Sequence, residues 1–304
     1  MNRKSWTLVA LFALAPAANA MDEHPVRREM EACKQHEQGE GKGKASSAVD
    51  CAVKVVFQSR IRHKKNDEPV EMTIGSPPMV TDDTDTPGAG NWEINFGLHS
   101  ESGGGEHRID VPTIDLNYGI GDKLQLTYEV PYAFVRAADD TGTLRSANGF
   151  GDSVFGLKCR FLDDKDNGLS LAIYPQLEFR TPGANRRVSE NTTGFVLPLL
   201  LTKEYEHFAI GANLGAEFSG GDQRLFASFG GGWRLSDRTA MFAELAGTDL
   251  NAADEKRVAL NVGLRRKISE AHSVSASLGR DVFAGGGQVR QTYVSLTWQM
   301  DIGQ

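Results

Sequence analysis

The stretch KLQLTYEVPY, residues 123–132, decides the fold. Leu124, Leu126, Tyr128 and Val130 alternate with Gln125, Thr127 and Glu129, and successive side chains of a strand point to opposite faces. One face is apolar, and the other carries amide, hydroxyl and carboxylate groups. The same rhythm returns downstream. Leu169, Leu171, Ile173, Leu177 and Phe179 alternate with Ser170, Tyr174, Gln176 and Glu178. Val258, Leu260, Val262 and Leu264 alternate with Asn261 and Arg265, and Val294, Leu296, Trp298 and Met300 with Ser295, Thr297 and Gln299. Twelve such segments start near Trp92, Arg108, Lys123, Asp152, Leu169, Thr193, His207, Arg224, Thr239, Arg257, Ser273 and Gln291. This repetition predicts an all-β, antiparallel transmembrane β-barrel with an apolar outer wall and a polar lumen.

The gaps between segments carry independent information. They are tight after even strands, as in Gly119-Ile120-Gly121-Asp122, Lys203 to Glu206 and Ser236-Asp237. After most odd strands they are longer: Ser100 to Glu106, Ala133 to Phe150, Thr181 to Asn191, Thr248 to Lys256 and Phe283 to Val289. Short periplasmic turns and long external loops are the outer-membrane arrangement, and an even strand count places both ends in the periplasm. Trp92, Tyr118, Phe161, Phe208, Trp233 and Trp298 share the outward parity at the turn ends. Tyr132, Phe179, Phe195 and Phe218 share it at the loop ends. Two bands of rings match two membrane interfaces.

The first 20 residues read as a signal peptide, with basic Arg3 and Lys4, an apolar Trp6 to Leu14 and a small-residue site at Ala18-Asn19-Ala20. Its removal, with two positive charges, takes the net charge from −7 to −9. With no broad basic face, nucleic acid is not an expected partner. Expected partners are outer-membrane lipids, the barrel-assembly machinery and small-molecule solutes. Residues 21–80 read as a periplasmic leader, helix-compatible in parts, and 81–304 as the barrel. Pro77-Pro78 and Thr86-Pro87-Gly88 mark a linker between them. Cys33 and Cys51 are candidates for a disulfide in an oxidising periplasm, and Cys159 sits on an apolar strand face.

Several stretches resemble the outer-membrane family of the meta-pathway of phenol degradation. They are Thr81-Asp82-Asp83 with Thr86-Pro87-Gly88, Asn91-Trp92-Glu93-Ile94-Asn95, Asp115 to Asp122, Leu124-Gln125-Leu126 leading to Glu129-Val130-Pro131-Tyr132, Gly149-Phe150-Gly151-Asp152, Gly156-Leu157-Lys158 and Tyr174 to Phe179. The resemblance implies a barrel that passes small, often hydrophobic molecules across the outer membrane. It supplies no catalytic residues.

Strand parity sends Glu93, Asp115, Gln125, Glu129, Lys158, Arg160, Tyr174, Gln176, Glu178, Arg180 and Arg265 into the lumen, together with Asn95, Asn117, Arg234 and Asn261. Charges of both signs can line a wet channel or close on themselves as an ion-pair network, and the sequence leaves both open. The leading reading is a passive channel for small hydrophobic or aromatic molecules. The first alternative is a structural, adhesive or sensing barrel without an open pore. A lipid esterase or acyltransferase is a minor one: His99-Ser100-Glu101-Ser102-Gly103 is similar to a barrel phospholipase motif, but His99 and Ser102 are three apart and a strand puts them on opposite faces. No catalytic residue, cofactor or metal site is assigned. His99, Glu101, Glu106 and His107 fit solvent-exposed positions beside Gly103-Gly104-Gly105 better than a ligand set.

Overall fold

A computed structural model describes residues 69–139, 141–189, 192–252 and 254–303. The signal peptide, Cys33 and Cys51 lie outside the described residues. Residues 69–301 belong to one compact unit.

The strands are β1 (Trp92–Gly103), β2 (Glu106–Ile120), β3 (Leu124–Ala138), β4 (Leu144–Phe150), β5 (Asp152–Asp164), β6 (Leu169–Ile173) and β7 (Gln176–Arg180). They continue as β8 (Gly194–Glu204), β9 (Phe208–Ser219), β10 (Asp222–Ser236), β11 (Thr239–Thr248), β12 (Arg257–Ser269), β13 (His272–Ala284) and β14 (Thr292–Ile302). Each wall strand pairs with its sequence neighbours, and β14 returns to β1, closing the sheet. Fourteen segments make twelve wall strands, because two strands are interrupted. β4 and β5 run in line beside β3 and part at Gly151, where the Gly151 N–H still donates to the Pro131 carbonyl at 3.0 Å. β6 and β7 run in line beside β5 and β8 and part at Tyr174-Pro175, where proline has no N–H to give the ladder. Closure leaves no free edge, the condition for a sheet to stand in hydrocarbon.

Burial is inverted relative to a soluble protein. The outward residues Leu199, Leu214, Phe229, Leu245, Leu260, Val262, Leu264, Leu278 and Leu296 are exposed. The inward residues Asn117, Gln125, Thr127, Lys158, Thr202, Glu244, Asn261 and Arg265 are buried. Only a solvent of acyl chains makes that distribution favourable. The aromatic bands are in place as well: Trp92 packs on Tyr118 with centroids 4.7 Å apart, and Tyr132 meets Phe150 edge-on at 5.4 Å. Cys159 is a free thiol at intermediate burial.

The loop ends depart from the sequence reading at two places. Ser100 to Glu106 is not a long loop: β1 and β2 continue to a two-residue hairpin at Gly104 and Gly105, whose φ values of 62° and 87° suit glycine. His99, Glu101, Glu106 and His107 are therefore on strands. The gap from Ala133 to Phe150 is likewise mostly strand, a hairpin of β3 and β4 turning through Asp139 to Thr143. Alternation weakens in these stretches because both faces leave the hydrocarbon. Residues 181–189 lie outside any strand.

Val262 lies midway along β12 with its side chain outward. Replacing it with Arg should destabilise the barrel by about 2–4 kcal/mol, read by urea titration in lipid vesicles with heat-modifiable gel mobility as the probe of folding.

Candidate functional site

The lumen is the one space to which every strand contributes polar side chains, and residues 69–91 run through it. The sequence reading assigns residues 69–80 to the periplasmic leader and marks a linker from Pro77-Pro78 to Gly88. The segment lies inside the barrel, at the end of the short turns. Val70, Met72, Ile74 and Met79 are buried, as are Thr73, Thr81 and Thr84. Val70, Ile74 and Met79 form a small apolar core with Ala240 and Phe242, two inward residues of β11. The wall is cut to fit the segment's backbone. A Cβ on Gly232 of β10 would lie 2.0 Å from the Met72 carbonyl oxygen, and one on Gly119 of β2 would lie 1.8 Å from that of Gly88.

Polar contacts fasten the segment to strands all round the lumen. The Glu244 carboxylate accepts the backbone N–H of Val80 at 2.8 Å and of Thr81 at 2.7 Å, and is itself positioned by the Asn261 amide at 2.7 Å. The Thr84 N–H donates to Thr202 Oγ1 at 3.1 Å, and its hydroxyl meets Ser170 Oγ at 2.5 Å. Ser277 donates to the Pro78 carbonyl at 3.0 Å. The Asn213 amide, oriented to satisfy both its atoms, bonds the N–H and carbonyl of Asp82. Three lumen cations also find their partners here. Lys158 Nζ is 3.2 Å from Asp82 and 3.6 Å from Asp83, Arg160 is 3.0 Å from Asp85, and Arg265 is 3.6 Å from Glu71.

β3, which carries Glu129, pairs with β5, which carries Lys158 and Arg160, and the register there puts Gln125 opposite Lys158 and Glu129 opposite Val154. Lys158, Arg160 and Arg265 are thus compensated by the inserted segment, while Arg108 with Asp110, Arg224 with Glu217 and Arg257 with Asp281 pair within the wall. Of the predicted lumen residues, Asp115, Gln125, Lys158, Tyr174 and Arg265 are buried, and Glu93, Glu129, Arg160, Gln176 and Glu178 are partly so. Arg180 is at the loop end, donating to the Ala184 carbonyl at 2.5 Å. Arg108 donates to the Val188 carbonyl at 3.1 Å and Asn185 to that of Asn148 at 2.9 Å. These bonds draw the loop after β7 over the opposite mouth. Tyr174 donates to Thr127 at 2.8 Å beneath it.

Glu244 was missed in the sequence, although its parity is inward. The inner face of its strand also carries Ala240 and Phe242, so the alternation that flags a lumen residue is blurred there. His99 does reach a hydroxyl, but that of Ser295, at 3.0 Å. Ser102 is on the other face of β1, so the motif noted in the sequence does not assemble.

Asp82 is within reach of water only through the filled lumen. Burial pushes its carboxyl up to about 6 and Asp83 adds to the rise, while Lys158 opposes both. Between the ordinary carboxylate range and pH 6 the docked segment therefore holds a proton at Asp82 that the undocked segment has lost. That contribution to docking is complete below the ordinary carboxylate range and is lost as pH rises through 6. Amide hydrogen exchange of residues 79–85, corrected for its intrinsic pH dependence, should be faster at neutral pH than at mildly acidic pH. Replacing Glu244 with Leu removes two charge-assisted bonds, each worth about 1.5–3 kcal/mol, and should accelerate the same amides at every pH.

The chain matches the family described as the MetA-pathway of phenol degradation over residues 81–296, and it belongs to that family. Among solved structures it is similar to the COG4313 outer membrane channel from Pseudomonas putida F1. The two are 16% identical with a TM-score of 0.59, over 72% of this chain and 98% of the other. The KdgM porin in complex with disordered oligogalacturonate is 10% identical at a TM-score of 0.47, over 68% of this chain and 98% of that one. NanC porin is 9% identical at 0.48, with the same two shares. No individually curated protein matches the chain in sequence.

Proposed function

We propose that this protein is an outer-membrane channel for passive passage of small, hydrophobic or aromatic molecules, and that residues 69–91 set its open cross-section. The observation carrying this reading is the mode of attachment. The segment is held in a polar lumen by hydrogen bonds, ion pairs and a small apolar cluster, each of which water can replace without disturbing the barrel ladder. The short turns then face the periplasm, where residues 21–68 would lie, and the outward apolar wall meets the membrane lipids.

The kinship to an outer membrane channel and a family tied to phenol degradation support the solute class. A phenol has a ring and one hydroxyl. The lumen wall offers the ring of Tyr174, whose hydroxyl donates to Thr127, beside the amides of Asn117 and Gln125 that Thr127 also meets. The filled lumen equally fits the second reading, a sensing or structural barrel without an open pore.

Two measurements separate them. Gly232→Val drives a side chain into the space of the Met72 carbonyl and should raise single-channel conductance in planar bilayers while the variant keeps heat-modifiable mobility. An unchanged, non-conducting folded variant favours the barrel without a pore. In vesicle uptake, phenol and similar aromatics should enter faster than sugars of comparable size, and equal rates would leave a generic pore.

A further inference from the structure

We propose that a basic pocket on the outer wall of the barrel, built around Arg136 and Arg187, holds the phosphate group of a membrane lipid in the leaflet that faces the loops. Such a site depends on the outer-membrane placement above, with the loop ends outside, and not on conduction. At the loop ends β2, β3 and β4 lie side by side, and their registers form outward rows. Tyr132 is opposite Phe150, Phe134 is opposite Ile109 and Asn148, and Arg136 is opposite His107 and Ser146. Cross-strand partners share a face, so these rows continue the outward wall. Tyr132 and Phe134, with ring centroids 5.5 Å apart, form the aromatic band here with Phe150. Arg136 is two residues beyond Phe134, about 7 Å further along the strand, where hydrocarbon gives way to headgroups.

The pocket is held together by its own hydrogen bonds. Asn185 donates to the Asn148 carbonyl at 2.9 Å, which ties the loop after β7 to β4. The Asn185 side-chain oxygen accepts the Arg187 N–H at 3.0 Å, and its carbonyl accepts those of Val188 and Ser189, each at 2.9 Å. Val188 is buried, and its carbonyl accepts from Arg108. This turn brings Arg187 to the same pocket as Arg136. With His107, Ser146, Asn148 and Asn185 they line a concavity of about 590 Å³, and Phe134 lies on its membrane side.

The ligand class follows from the donors. Arg136 and Arg187 are exposed, and among the described residues neither has an ion-pair partner. The carboxylates close by are engaged: Asp139 binds Arg145 at 3.0 Å, Glu106 accepts the Ala138 N–H at 2.7 Å, and Asp110 holds Arg108. A planar guanidinium binds two phosphate oxygens at once, and the Ser146 hydroxyl and Asn148 amide add neutral donors. Basic clusters at a membrane surface recognise lipid headgroups by this chemistry. The volume admits a phosphosugar headgroup. Position selects a lipid over a free anion: a solute crossing the lumen does not meet this face, whereas a lipid whose acyl chains lie against Phe134 and Phe150 carries its headgroup to it.

The test uses the full-length protein in detergent micelles, its folding checked by heat-modifiable mobility, with diphosphoryl lipid A as the probe and native mass spectrometry as the readout. The wild type should retain the lipid, and Arg136→Gln/Arg187→Gln should weaken retention severalfold. Arg145→Gln, which changes a paired arginine of the same hairpin, should retain it as the wild type does. Lipid A stripped of its phosphates should be retained no better by the wild type than by the double variant. Equal retention of the diphosphoryl lipid by wild type and double variant overturns the proposal, as does an equal loss in Arg145→Gln. Inorganic phosphate that binds as tightly as the lipid also overturns it, because the site would then serve a free anion. Should the double variant fail to fold, Arg187→Gln alone, in the loop, is read in the same way. A wild type that retains the lipid at this pocket yet never conducts would refute the channel reading alone.

Discussion

Everything in this structure follows from one constraint: in hydrocarbon, a backbone N–H or carbonyl has no partner except another backbone group. A strand of alternating polarity cannot meet that condition alone, nor can an open sheet. Pairing β14 with β1 and β3 with β5 removes the edges, and the side-chain period of two then sorts every residue to lipid or lumen. The polar lumen is a consequence of closure. Once formed, it gathers Lys158, Arg160 and Arg265 into a narrow space that cannot leave them uncompensated.

The chain supplies that compensation from its own residues upstream of the first strand. Glu71, Asp82, Asp83 and Asp85 meet the wall cations, and the wall carboxylate of Glu244 meets two backbone amides of the segment. Glycines at 119 and 232 clear room for its backbone.

Much of this was legible in the residues. The period of two in KLQLTYEVPY is a local property, so strand positions, facing and the outward aromatic bands follow without knowledge of neighbours. Short turns such as Ser236-Asp237 pin the hairpin partners. The two strand breaks were visible only as Gly151 and Pro175, whose effect depends on what lies beside them. The inserted segment was not legible, because Val70, Met72 and Ile74 resemble any short apolar run and Pro77-Pro78 resembles a linker. Its one signal was the inward Lys158, Arg160 and Arg265, whose partners strand periodicity does not name. Register hid the rest: strand order alone does not say that Glu129 sits opposite Asp115 on β2 and Val154 on β5.

The most direct measurement ties residues 69–91 to the wall by a reducible bond. Cysteines replacing Thr84 and Thr202, whose backbone N–H and hydroxyl lie 3.1 Å apart, should form a disulfide in a protein whose three native cysteines are changed to serine. With the bond closed, the folded barrel should show no conductance steps, and reduction in the same bilayer should restore them. Equal conductance before and after reduction would contradict the account, as would failure of the bond to form in the folded protein.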